Sequence, residues 1–315
     1  MKFSIYQESK LGARQMNQDR MGFSYSRDSL LMIVADGMGG HANGEIAAQI
    51  TLQTIASQFQ QRARPVIRDT AKFLTEVIVA AHKEIHRFRA VNQLPEAPRT
   101  TVVICLIQDG CAYWAHVGDS RLYLLRDGQV VLRTKDHTKV QRLVDEGYIT
   151  QEQAYSHPER NKVLNCLGAP MEPRVELSKV EALHKGDVLL LCSDGLWSAM
   201  TDKELAQAFM NAQVTESLPD ILERAVQRLG RSADNATGIA LMWEGMEEGE
   251  VKVRRRTAHS TRTLPLGSFT TTIRAPLFAD FEDSMPLSEE DIENAIDEIN
   301  DALNRSKKVI EPNEE

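Results

Sequence analysis

An aspartate closes an unbroken apolar run in this sequence. Leu-Leu-Met-Ile-Val-Ala at residues 30–35 gives way to Asp36-Gly37-Met38-Gly39-Gly40-His41. The run has the length and composition of a strand buried on both faces. The glycines after it let the backbone take positive φ and approach another group closely. A carboxylate there, with exposed carbonyls beside it and an imidazole five residues on, suits a metal and catalytic corner. Three later places repeat the pattern. Tyr113-Trp114-Ala115-His116-Val117 leads into Gly118-Asp119-Ser120-Arg121, and Val188-Leu189-Leu190-Leu191-Cys192 leads into Ser193-Asp194-Gly195. Asp234-Asn235 stands just ahead of the apolar run 238–243. Packed sheets bring strand ends together, and carboxylates gathered there repel one another unless cations hold them. Hard divalent ions such as Mg²⁺ or Mn²⁺ prefer that all-oxygen environment. One Asp-Gly is most often only a turn, and His41 or Arg14 alone is an ordinary surface residue; four aspartates on apolar strand ends carry more weight.

The elements that must position these groups follow from periodicity. Residues 1–6 suggest an edge strand and 21–26 a second strand before the buried run. Ala47, Ile50, Leu52, Ile55 and Phe59 recur at helical spacing to about Arg62, and Phe73, Val77, Ala80, Ala81, Ile85 and Phe88 mark a second helix over 69–91. Strands are expected at 100–107, 111–117, 121–125 and 129–132, joined by Gln108-Asp109-Gly110 and Arg126-Asp127-Gly128. Asp-Gly between β-type runs signals a hairpin, so this part reads as an antiparallel meander. Further strands are expected at 175–180, 187–192 and 238–243, with helices at 202–210 and 216–230. Thr201 and Glu204 resemble a capping box before the first of these helices. Two long helices between runs of strands imply layers rather than strict β-α-β alternation.

Composition bounds the classes. The chain has 315 residues, 42% hydrophobic and 26% charged, as in globular proteins. Its net charge of −8 argues against a general nucleic-acid binder and fits a protein that holds cations with carboxylates. No apolar run approaches the ~18 residues of a membrane span, and the first residues lack the apolar core of a signal peptide. Cys105, Cys111, Cys166 and Cys192 form no Cys-x-x-Cys pair and read as reduced, structural residues, which sets the cytoplasm as the expected location.

Taken together, Arg14…Asn17-Gln18-Asp19, Asp36-Gly37-Met38-Gly39-Gly40-His41, Val117-Gly118-Asp119-Ser120-Arg121, Asp136-His137, Ser193-Asp194-Gly195-Leu196-Trp197 and Asp234-Asn235-Ala236-Thr237 resemble, in order and spacing, the signature of metal-dependent protein phosphatases of the 2C type, bacterial branch. The resemblance covers residues 1–244. It implies an α+β fold, a four-layer αββα sandwich of two central antiparallel β-sheets flanked by helices. It implies hydrolysis of phosphoserine and phosphothreonine on proteins by in-line attack of a hydroxide bridging two Mn²⁺ or Mg²⁺ ions. Asp36 would bridge both ions, the Gly37 carbonyl would bind one, and Asp194 and Asp234 would hold the other. Asp119 would support a third, weaker ion with Asp194, with Asp136 a further contributor. Arg14 would clamp the substrate phosphate. His41 would be general acid towards the leaving seryl or threonyl oxygen, and Asp19 would orient metal-bound water from behind. Gln18 stands where many relatives carry Glu. Residues 139–168 correspond to a variable flap. A catalytically silent scaffold and a phosphoesterase acting on small molecules are the competing readings; the full set of Arg14, Asp36, His41, Asp194 and Asp234 speaks against the scaffold.

The remainder lies outside the resemblance. Residues 245–287, with Lys252, Arg254, Arg255, Arg256 and many Ser and Thr, read as a disordered linker. Residues 288–308 read as a short amphipathic helix, capped by Ser288 and striped by Ile292, Ile296, Ile299 and Leu303. The tail is a candidate docking segment for a partner or a cognate Ser/Thr kinase. No nucleic acid and no membrane are expected as partners, and the chain is expected to be monomeric.

Overall fold

Alternation within the strands divides the core into three apolar layers. In the computed structural model, which describes residues 1–38, 43–246 and 268–273, strand β3 (Ser29–Ala35) is buried at every position. Its Leu31 and Ile33 side chains join one cluster, and Leu30, Met32 and Val34 join another on the opposite face. Strand β4 (Val102–Gln108) does the same with Val102, Ile104 and Leu106 against Val103, Cys105 and Ile107. Strand β10 (Val188–Cys192) sends Leu189 and Leu191 into the second cluster and Val188, Leu190 and Cys192 into a third.

Two antiparallel sheets result among the described residues. One has the order β1 (Lys2–Lys10), β11 (Ala236–Gly245), β10, β6 (Arg121–Arg126), β7 (Gln129–Arg133). The other runs β12 (Thr270–Thr271), β2 (Arg20–Tyr25), β3, β4, β5 (Cys111–Val117), β8 (Glu176–Leu177), with β9 (Glu181–Ala182) also on β5. The second cluster lies between the sheets. The first packs one sheet under helices α1 (Gly44–Arg62) and α2 (Thr70–Val91). The third packs the other sheet against α5 (Asp194–Trp197), α6 (Asp202–Ala208) and α7 (Val214–Leu229). This is the expected αββα sandwich. Short helices α3 (Lys139–Asp145) and α4 (Gln151–Ser156) fall in the variable region.

Local chemistry explains the boundaries. Asp69 caps α2 by accepting from the Lys72 N–H at 3.0 Å, and Thr201 with Glu204 forms the expected capping box on α6. Both Asp-Gly hairpins take positive φ at both central residues, 52° and 71° at Asp109 and Gly110, 49° and 72° at Asp127 and Gly128. Two expectations change. The strand expected over 175–180 shrinks to two residues at β8. The linker expected over 245–287 contains β12, because Phe269, Thr270, Thr271 and Ile273 are strand formers whose signal the Ser/Thr-rich composition hides. The expected helix over 288–308 and the basic block at 252–256 lie outside the described residues.

Candidate active site

The loop 11–19 is pinned before it can present anything. Asn235 takes the Gln18 N–H on its Oδ1 at 2.8 Å and donates its Nδ2 to the carbonyls of Leu11 and Met16. Gly12 lies so close to Asp234 that an added Cβ would stand 2.2 Å from the Asp234 carbonyl oxygen, and its φ is +63°. No other residue type fits there without moving the backbone. Asp19, at the foot of β2, is buried and accepts from Ser193 Oγ at 2.7 Å. Ser193 Oγ also receives the Thr237 N–H at 3.0 Å, so one hydroxyl ties β2, β10 and β11 together.

Asp36 follows β3. Its carbonyl accepts from the Thr101 N–H at 2.9 Å and from Thr100 Oγ1 at 2.8 Å. Gly37 bridges to Thr100 and abuts Gly44 at the start of α1, where a Cβ on Gly37 would meet the Gly44 carbonyl at 2.5 Å. Asp194 opens α5, and its carboxyl lies close to that of Asp36. Asp119 is buried beyond β5, and its carbonyl accepts the Trp197 indole N–H at 2.9 Å. Asp234, ahead of β11, accepts from Arg14 at 2.6 Å. Five strand ends therefore converge on one crowded group of carboxylates.

Electrostatics report the crowding. Burial, then repulsion from Asp19, Asp194, Asp119 and Asp234, pushes the Asp36 carboxyl well above the ordinary range. Asp119 is raised in the same direction, first by burial and then by Asp194 and Asp136. Asp194 is raised to about 6 by burial and Asp234, and Asp19 to about 7 by burial, against hydrogen bonds from Thr237 and Ser193. Carboxyls as close as those of Asp36 and Asp194 are relieved of their repulsion by a shared proton or by a cation held between them. An all-oxygen donor set of this charge fits Mn²⁺ or Mg²⁺.

The structure thus brings Asp19, Asp36, Gly37, Asp119, Asp194 and Asp234 together, with Arg14 at the exposed rim. His41 lies outside the described residues. Asp136 is differently engaged: both its oxygens accept from Arg121, at 2.8 and 2.7 Å, and Arg121 stacks 3.6 Å over the Trp197 ring. That buried pair braces the carbonyl side of Asp119. Asn235, Ser193, Arg121 and Trp197 act as supports that periodicity alone did not assign, since their partners are far apart in sequence.

A second group, His116, His137 and Glu176, places three ligand-type atoms within 4.8 Å. The two imidazoles stack with centroids 4.6 Å apart and planes 23° apart. Nearly parallel rings do not aim in-plane lone pairs at a common ion. His137 Nδ1 accepts from the Gly118 N–H at 3.2 Å and contacts Asn165 Nδ2 at 2.8 Å, leaving Nε2–H to donate to Glu176 at 3.2 Å. Burial lowers both histidines' pKa, which keeps the rings neutral. The group is a hydrogen-bonded brace behind Gly118-Asp119.

The fold is a two-sheet sandwich with buried carboxylates gathered at its strand ends. Residues 7–235 match the sequence profile of the family described as Protein phosphatase 2C, and the chain belongs to that family. It is 37% identical over 210 residues to the serine/threonine protein phosphatase PstP of Mycobacterium tuberculosis, which covers 66% of this chain and 39% of that relative. It is 32% identical over 241 residues to a putative 2C-type protein phosphatase of Streptococcus pyogenes, covering 75% of this chain and 95% of the relative. A solved PstP catalytic domain in complex with two manganese ions matches with a TM-score of 0.64 and 33% identity, over 76% of this chain and 98% of that one.

Proposed function

We infer that this chain is a metal-dependent protein phosphatase that hydrolyses phosphoserine and phosphothreonine on proteins. The observation that carries this reading is the convergence of Asp36, Asp119, Asp194 and Asp234 with Arg14 at the rim, in a chain of the 2C family. Asp36, the Gly37 carbonyl, Asp194 and Asp234 would hold two Mn²⁺ or Mg²⁺ ions, with Asp119 and Asp194 available to a third. Such ions, when bound, neutralise phosphate charge and acidify water enough for it to attack phosphorus in line.

The chain's own groups do the rest. Arg14, more than half exposed, turns its guanidinium fork from Asp234 to the non-bridging phosphate oxygens. Cation binding at Asp234 would release it for that task. Asp19, held by Ser193, would orient water at the carboxylate cluster. His41 gives a proton to the departing seryl or threonyl oxygen. Phosphorylated proteins are the substrates, and a partner Ser/Thr kinase, docking through the tail, a monomeric state and a cytoplasmic setting complete the proposal. Among the described residues no helix is long and apolar enough to cross a membrane.

The test compares phosphate release from a phosphothreonine peptide, a phosphotyrosine peptide and a small aryl phosphate with Mn²⁺ present. Preference for the phosphothreonine peptide by roughly tenfold or more in kcat/KM is expected. Equal or better use of the small ester would favour a small-molecule phosphoesterase instead.

A further inference from the structure

Strand β2 would be a sheet edge were it not covered. Its outer side carries the N–H and C=O of Phe23, and the surface beside it, towards α1, has a gap at Gly22 and the ring of Phe59. Residues 268–273 fill this edge. Thr270 and Thr271 pair antiparallel with Tyr25 and Ser24. The Thr272 N–H donates to the Phe23 carbonyl at 3.0 Å, and the Phe23 N–H donates to Thr272 Oγ1 at 3.0 Å. Thr271 Oγ1 donates to the same carbonyl at 3.2 Å.

Two apolar anchors, four residues apart, flank this short ladder. Phe269 meets the Phe59 ring edge-on, with centroids 5.7 Å apart. Ile273 is 8% exposed and joins the cluster under α1 and α2. It occupies the space a side chain at residue 22 would need, since a Cβ on Gly22 would lie 2.4 Å from Ile273 Cγ1. Backbone pairing, a glycine gap and an aromatic contact are three separate matches to one extended segment. Pairing supplies affinity and the side-chain pockets supply specificity, as in strand-addition recognition. Only two residues form a regular ladder, so the attachment is short enough to come off.

We propose that the edge of β2 with the adjoining surface of α1 is a peptide-docking site, occupied in cis by residues 268–273 as a detachable clamp on the catalytic unit. The clamp runs from the Tyr25 end of β2 towards Gly22, three residues from Asp19. It steadies β2, at whose foot Asp19 stands. This inference rests on the edge geometry and stands whether or not the assignment of substrates is correct.

Hydrogen exchange on the full chain tests the docked state without any substitution. Amides of 268–273 should exchange about tenfold or more slower than in a free peptide of the same sequence; equal rates overturn the proposal. A fluorescein-labelled peptide of residues 266–275 tests the site itself. It should bind the full-length F269A/I273A variant at least about tenfold more tightly than the unaltered chain. Adding G22V to that variant should abolish binding. Equal binding to the unaltered chain and the double variant, or no binding to a folded double variant, overturns the proposal. Slow exchange accompanied by a dimer in light scattering would show the segment seated on a second copy and overturn occupancy in cis.

Discussion

Replacing Asp19 with Asn in the metal-free protein should reveal how strained the carboxylate cluster is. Asp19 titrates near 7 when folded, against 3.8 in the open chain, because burial disfavours its charge. The sign follows from proton linkage. A carboxyl raised on folding binds its proton more tightly in the native state, so its contribution is intact below pH 3.8 and is lost as pH climbs through 7. From pH 5 to pH 8 the loss from Asp19 alone is about 3 kcal/mol. For a domain of this size that corresponds to roughly 5–10 °C in melting midpoint. Buried histidines whose pKa is lowered, His82, His116 and His137, act in the opposite direction over part of this range, but they are present in both proteins and cancel. The assay is thermal melting of chelator-treated protein and Asp19→Asn from pH 5 to pH 8. The variant's midpoint should gain on that of the unaltered chain by this margin as pH rises. Added Mn²⁺ should raise the unaltered chain's midpoint more at pH 8 than at pH 5. A midpoint difference that does not change with pH would refute the assignment of a raised, buried Asp19.

Other outcomes follow from single contacts. Asp36→Asn or Asp194→Asn should lower phosphate release by roughly 10³-fold or more, measured at saturating Mn²⁺ on folded protein. Arg14→Ala should lower kcat/KM by about 10²-fold, and Arg14→Lys should recover little, because a point charge does not replace the fork. Gly12→Ala should cost about 2 kcal/mol or more in denaturant unfolding, since its Cβ would collide with the Asp234 carbonyl at a positive φ. Arg121→Met, which strands the buried Asp136 carboxylate, should cost about 3–5 kcal/mol in the same measurement.

The layers and the cluster were legible because their signals are local. The run 30–35 alternates between two cores, so its apolar continuity marks a strand covered on both sides. The Asp-Gly hairpins specify their own geometry. Asp36, Asp119, Asp194 and Asp234 each mark a strand end, and only the sandwich brings them together. What the sequence withheld depends on distant pairs. Asn235 fastens 11–18 across more than two hundred residues, and Arg121 takes Asp136 from a separate loop. The β12 clamp was hidden for another reason: two paired residues in a Ser/Thr-rich stretch carry no period, and their place is set by the gap at Gly22.

Cations held by Asp36 are the proposed source of hydrolysis. Titrating Mn²⁺ into the chelator-treated full chain, while following phosphate release from a phosphothreonine peptide, tests this directly. No release without the ion, release that rises and saturates with Mn²⁺, and none at any concentration from Asp36→Asn is the predicted result. Release by the metal-free chain, or by Asp36→Asn at the unaltered rate, would contradict it.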